Sequence, residues 1–426
     1  MKRRLTSRRL GGSVLAAALL ASSGVHAAAV QSVRPANLKP SLDTPEAGLW
    51  GMADKAEIHI RNSADVNRDP ALNAFVREVV CKVAPEYCGE VRIYVLDRPA
   101  LNASAFPNGY LEVWSGLMLR AQTEDELAYV LGHEVAHFAG DHSIEQWNKT
   151  KTTANVMLAL QVGVSIGTAA AVSSAASSGA PNAGGTIDSI SRTARAVNDL
   201  IYLSGMASIY SFGRAHESEA DEIGFRRAVA AGYAAGSGAE LWSDVVAETQ
   251  ASDFPKVRAS ESRASIFNTH PITKDRIARL ASLSGGAGGG DAAARKRYRA
   301  HIRPHLADWL KDDLRRRDYG QTLHLIARLE QDGEDLGVLS FYRGVALRQR
   351  RGPGDAEAAM AAYASSVTHP DAPAAAWREL GDALIKSGDK ARAAEAFQSY
   401  LVRAPKAEDR WMVESALKSI QAPESK

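Results

Sequence analysis

The stretch Leu131–His142, LGHEVAHFAGDH, limits this chain more than any other. His133 and His137 stand four residues apart, and on an α-helix that spacing puts both imidazoles on one face, one turn apart. Glu134 points about 100° away around the helix axis. The two rings can therefore grip one ion while the carboxylate faces a water beside it. The surrounding sequence predicts a helix with its own start and stop. Thr123 and Glu126 form a capping box, and Gly140 suits the end. Leu127, Val130, Leu131, Val135 and Phe138 supply an apolar stripe that predicts burial. Buried imidazoles beside an acid are costly without a partner, and a metal ion supplies one. Gly132 leaves room beside the first histidine.

A catalytic zinc takes three protein ligands and keeps one position open. The third ligand is sought in RAHESEADEIGF, where Glu217 and Asp221 are again four apart on one helical face. Glu217 completes a two-histidine, one-carboxylate set, and Asp221 orients a ligand ring through its second nitrogen. Glu219 and Glu222 are rivals, and a solvated acidic face is the bland alternative. A closed structural zinc site is disfavoured, because such sites take four protein ligands, usually with cysteine, and this stretch has none. His270, in FNTHPITKDRI, sits in a loop before a helix. His142, His216 and Arg214 lie near the motifs without an assigned role.

At 426 residues the chain is too long for one small core, and two or three domains are expected. A net charge of +2 gives no general electrostatic case for nucleic acid. The basic start MKRRLTSRRL, the short apolar run after it and the small residues Val25 and Ala27 read as a secretory leader over 1–27. In an exported chain Cys81 and Cys88 are expected to pair. Residues 28–61 read as an extended lead-in, ALNAFVREVVCKVA as a helix, and VRIYVL and YLEVW as strands. YLEVW is expected to be an edge strand able to receive an extended peptide. Ala154–Ala176 has no charge and reads as a buried or lid-like helix with a mobile tip at SSGAPNAGG; a membrane span or surface hairpin is the alternative. Residues 62–283 form the first domain, 284–291 a flexible Gly-rich linker, and 292–426 a helical domain. In that last part Trp377, Leu380, Gly381, Gly388, Ala393, Phe397 and Pro405 fall at tetratricopeptide spacings. Gly344, Leu347, Tyr363 and Pro370 give a looser copy if a short insertion sits around RGPGD, and DYGQTLHLIARLEQDG is a candidate helix of a further one.

LGHEVAHFAGDH followed by RAHESEAD resembles the zinc metallopeptidase family that includes the membrane protease HtpX and the CaaX prenyl proteases. That family pairs His-Glu-x-x-His with a later Glu-x-x-Ala-Asp whose glutamate is the third ligand, which here singles out Glu217. The resemblance covers about Asn62 to Leu283, and HtpX-type membrane spans are not evident. With a leader and a repeat tail, the whole is similar to the periplasmic BepA-like group. The resemblance implies a mainly helical α+β fold: a zincin-like (gluzincin) protease domain with a small sheet, then a tetratricopeptide-like solenoid. It implies one Zn2+ per chain on His133, His137 and Glu217, with Glu134 as base and Asp221 behind the ligands. His270 would take the fourth zinc position and hold the enzyme off, or donate to the transition state. Expected partners are unfolded or misassembled protein substrates and, through the repeats, envelope or outer-membrane assembly proteins. No nucleic acid is expected, and peripheral membrane contact stays open. The implied activity is that of an exported, periplasmic zinc metalloendopeptidase. The second reading is a chaperone or assembly scaffold with latent or gated proteolysis.

Overall fold

The structure, a computed structural model, describes residues 34–178, 186–187, 189–190, 212–259, 270 and 272–421. The expected leader and most of SSGAPNAGG lie outside these residues. Helix α1 (Pro45–Arg61) corrects the extended lead-in. Thr44 caps it through the Ala47 N–H and Pro45 sits in its first turn. Leu49 and Ala53 then bury against Phe106, Tyr110 and Phe212, which supplies the energy that local sequence alone does not show. Helix α2 (Pro70–Val83) starts under an Asp69 cap, and Cys81 near its end is joined to Cys88 by a disulfide.

Three strands follow: β1 (Arg92–Leu96), β2 (Ala103–Ala105) and β3 (Tyr110–Trp114). Their order is β1-β3-β2, with β1 parallel and β2 antiparallel to β3. YLEVW is therefore the central strand, not the expected edge. Its alternation suggested one covered face, yet Tyr110 to Val113 are all buried. The edge is β2, which at three residues is too short to show a period.

Helix α3 (Ser115–Arg120) leads to α4 (Glu124–Ala139), which carries the histidine motif. Thr123 accepts the Glu126 N–H at 3.2 Å, and Glu126 reaches back to the Gln122 N–H at 2.7 Å. All but the first two residues of α4 are buried, so it is a core helix. Helix α5 (His142–Ser177) contains the uncharged stretch. Burial does not hold at its described C-terminal end: Ile166 is 66% exposed, and most residues from Gly167 to Ser178 are exposed or half-buried. Ser, Ala, Gly and Thr offer too little apolar area to draw that end into a core. Among the described residues no helix is long and apolar enough to cross a membrane. Helices α6 (Arg214–Ala230), α7 (Ser237–Gln250) and α8 (Lys274–Leu283) complete this part.

Residues 284–291 are docked rather than free. The Gly236 N–H donates to the Gly288 carbonyl at 3.1 Å, the Gly289 N–H reaches Glu240 at 2.7 Å, and Asp291 caps the next helix. A side chain at Gly236 would strike Gly288, and one at Gly289 or Gly290 would strike Glu240 or Thr123, so these glycines serve close approach, while Gly285 and Gly286 take left-handed turn positions. Helices α9 (Ala292–Ile302), α10 (Leu306–Asp313) and α11 (Tyr319–Leu329) then pack into the core of the first part. Tyr298, Ile302, Trp309, Leu325 and Ile326 share one apolar cluster with Val76, Leu127 and Leu241. A second cluster begins at Leu314 and serves α12 (Leu336–Arg350), α13 (Asp355–Ser366), α14 (Ala375–Ser387) and α15 (Lys390–Arg403), with α16 (Arg410–Gln421) behind. In this tail one contact recurs. A Cβ at Gly344 would lie 2.4 Å from the Tyr363 ring, and one at Gly381 would lie 2.5 Å from the Phe397 ring. Each glycine lets an aromatic from the next helix touch its backbone.

A buried ion pair ties the two parts together. Arg120 on α3 meets Glu248 on α7 at 2.6 Å and Asp313 on α10 at 2.9 Å, and all three side chains are fully shielded from water. Arg120→Met would leave two buried acids with Arg316 as their remaining cation, 2.9 Å from Asp313 and 3.8 Å from Glu248. The expected cost is about 3–5 kcal/mol of stability, read from urea unfolding of the purified chain; a loss within experimental error would refute this role.

Candidate metal centre

The site is set by how closely α4 and α6 cross. A Cβ at Gly132 would lie 3.1 Å from the Gly224 carbonyl oxygen, and one at Gly224 only 2.7 Å from the His133 backbone nitrogen. The two helices thus meet backbone to backbone, which glycine alone permits. Glu217 and Asp221 lie on α6 one to two turns before Gly224, so this crossing delivers both acids to the histidines of α4.

His133, His137, Glu217 and His270 each place one ligand atom within 4.8 Å of the others, and all four are buried. The His133 and His137 Nε2 atoms are 3.1 Å apart. Glu217 Oε2 lies 3.6 Å from the first and Oε1 3.5 Å from the second. His270 Nδ1 is 2.8 Å from Glu217 Oε1 and 3.5 Å from His133 Nε2. Of the two rivals to Glu217, Glu222 pairs with Arg226 and Arg279, and Glu219 turns to His142.

The next layer of contacts assigns the protons. Asp221 Oδ1 faces His133 Nδ1 at 3.1 Å, which calls for the proton on Nδ1 and leaves Nε2 a bare lone pair. His137 Nδ1 lies 2.9 Å from His142 Nδ1, and His142 Nε2 faces Glu219 at 3.5 Å. Burial, with His216 stacked alongside, pushes His142 down to about 4, so it is neutral near pH 7 and has one acceptor nitrogen. A proton on its Nε2, toward Glu219, makes Nδ1 that acceptor, and His137 donates to it. The His137 Nε2 is then bare as well. Two bare nitrogens at 3.1 Å with carboxylate oxygens beside them repel one another unless a cation lies between. The donor set therefore fits a metal ion, and its nitrogens and carboxylate suit zinc.

Arg276 on α8 had no signal in the sequence. Its guanidinium bonds both Asp221 oxygens at 2.7 Å and Glu217 Oε2 at 2.6 Å. Burial alone would raise the Asp221 carboxyl, but the Arg276 hydrogen bonds hold it well below the usual range. Tyr129 also donates to Asp221 at 2.6 Å, and Trp242 donates to Tyr129 at 3.2 Å. Glu134 stands apart from this network. Its Oε2 accepts the Ala105 N–H of β2 at 3.2 Å, and burial raises its carboxyl above the ordinary range despite the nearby histidines. That is the direction a general base needs. Beside it lies a small cavity walled by Ala103, Leu117, Val130 and Trp242.

The model of peptidase family M48 matches residues 66–284, about half of the chain and both motifs. The chain belongs to peptidase family M48. This M48 chain is 26% identical over 221 residues to a beta-barrel assembly-enhancing protease, so named, of Vibrio cholerae, covering 51% of this chain and 40% of that one. It is 39% identical over 54 residues to the mitochondrial metalloendopeptidase OMA1 of Bos taurus, which is 13% of this chain and 10% of the relative. The human OMA1 is 37% identical over a stretch of 54 residues. The chain thus spans well under two thirds of the length of these relatives. Membership of M48 points to zinc peptidase chemistry, and the cluster of His133, His137, Glu217 and His270 can hold the ion.

His142→Phe tests the proton assignment. It keeps a ring against His216 and removes the acceptor for His137. Zinc affinity, measured by competition with a chelator, is expected to fall about 10–100-fold. Unchanged affinity would remove His142 from the support of this site.

Proposed function

We propose that this M48 chain is an exported, periplasmic endopeptidase that hydrolyses peptide bonds in unfolded or misassembled envelope proteins. The observation that carries it is Glu134: a buried carboxylate of raised basicity, outside the Arg276 network, beside two imidazoles aimed at one point. His133, His137 and Glu217 would hold the zinc, with Asp221 and His142 fixing the rings. Bound there, the ion supplies Lewis-acid polarisation of the peptide carbonyl and acidifies water at the site. Glu134 takes the proton of the attacking water and passes it to the leaving amine. His270, 3.8 Å from Glu134 and in the fourth donor's place, must withdraw before a peptide carbonyl can approach. This supports proteolysis that is gated rather than constant.

β2 supports the choice of substrate. The Trp114 N–H donates to the Asn102 carbonyl and the Phe106 N–H to the Tyr110 carbonyl, so the even-numbered residues bond to β3. The backbone groups of Ala103 and Ala105 then point away from β3, on the side where Ala105 reaches Glu134. An extended peptide can add to that edge, and only an unfolded chain has free backbone to do so. The helical tail, read as tetratricopeptide-like from its repeated glycine–aromatic contacts, serves to recruit clients or assembly partners.

Glu134→Gln and Glu217→Ala separate the two roles. Glu134→Gln should keep its zinc and lose hydrolysis of reduced, unfolded casein by about 10²–10⁴-fold. Glu217→Ala should lose the zinc itself, read by metal analysis of the purified protein. Full hydrolysis by Glu134→Gln, or full zinc in Glu217→Ala, would sink these assignments.

A further inference from the structure

The helical tail carries a groove of about 660 Å³ between α10, α12 and α14. That volume lies in the range of built ligand sites. Its walls hold five cations, Lys311, Arg315, Arg317, Arg348 and Arg378, and one acid, Glu379. Glu379 is already committed, to Arg348 at 3.2 Å and to Arg378 at 2.8 Å. Arg378 also bonds Asp409, and Arg315 pairs with Asp312 at 3.0 Å. Lys311 and Arg317 are exposed and make no ion pair within 4 Å among the described residues, although Asp312 lies within electrostatic reach of Lys311 and, with Asp308, of Tyr342. The excess is local, since the whole chain carries only +2. Arg317 adds a second observation. It sits at φ +57°, a left-handed position where glycine is the economical choice. That cap, which Arg351 also adopts at the end of α12, sets the Arg317 side chain at the wall of the groove. The floor between the cations is Tyr319, Phe341, Tyr342 and Val345.

We propose that this groove binds an acidic, extended polypeptide segment of a client or partner protein. Carboxylates meet Lys311 and Arg317 at one wall and the Arg348–Arg378 pair at the other, while an apolar side chain of the segment seats on the aromatic floor. The guanidinium groups can take carboxylates two bonds at a time, which favours peptide acids over a diffuse anionic field. The concavity argues against a flat lipid surface, which cannot enter it. This proposal rests on the reading of the tail as the recruiting part of the protease, and it names the chemistry recruited.

The test uses the full-length Glu134→Gln chain with zinc, so that cleavage does not consume the probe. A fluorescein-labelled peptide of alternating glutamate and leucine is titrated by anisotropy, with a lysine–leucine peptide as control. The acidic peptide should bind at least about ten-fold more tightly, and added salt should weaken it. Lys311→Glu with Arg317→Glu should cost a further factor of about ten or more, and Lys311→Gln with Arg317→Gln an intermediate factor. The neutral pair guards against a charge reversal that unfolds the chain, which circular dichroism would reveal. Equal binding of the two peptides, or a charge-reversed chain that binds like its parent, overturns the proposal. So does capture by phosphatidylglycerol vesicles through the same two residues with no peptide binding. A parent chain that digests casein yet ignores the acidic peptide keeps the protease reading and loses this one. A chain that binds the peptide and never cleaves does the reverse.

Discussion

Everything at the metal centre depends on two helices touching through their backbones at Gly132 and Gly224. A helix pair with side chains between the axes lies about 8–10 Å apart. Here that spacer is absent at the crossing, and Glu217 falls within 3.6 Å of both ligand imidazoles. The approach concentrates charge. Glu134, Glu217 and Asp221 are three buried carboxylates, and Arg276 cancels one of them. A divalent ion held there would cancel the other two. The site is thus built so that protein and metal together are close to neutral in a place where a stray charge is costly.

The division of labour inside this constellation follows from where each carboxylate is held. Arg276 holds Glu217 and Asp221 in the places proposed for a ligand and its ring support. Glu134 is spared that contact and bonds instead to the backbone of β2, the strand whose outer edge faces the site. One hydrogen bond thereby couples the proposed base to the strand proposed to receive the substrate. The tail is not a separate body hung from this machinery. Tyr298, Trp309 and Leu325 complete the core beneath α4, and Arg120 fastens α3, α7 and α10 into one buried ion-pair group. On the proposed reading, a client held in the tail would be presented by the same folded unit that carries the metal centre.

The sequence was legible where spacing alone fixes geometry. His133, Glu134 and His137 follow from the pitch of α4, and Glu217 with Asp221 from that of α6. It was less legible where a partner in space decides. Arg276 is one more basic residue in a polar helix until α8 docks on α6. The glycines of 284–291 look like a linker until α7 comes against them. Tyr110–Trp114 alternates like an edge strand, but its neighbours in the sheet cover both sides. The tail was readable as helices with small residues facing large ones, and the Gly344–Tyr363 and Gly381–Phe397 contacts show why those pairs were spaced so.

By itself the sequence determined which groups could act: two imidazoles one turn apart, an acid turned aside, and a second helix with two more acids. Those relations are local, set by 3.6 residues per turn. Only the tertiary structure decided that the two helices meet, which ring nitrogens are bare, that Arg276 binds both Glu217 and Asp221 and that β2 holds Glu134. Each of these is a contact between residues far apart in the chain, and its free energy comes from burial and charge pairing that no stretch of sequence contains alone.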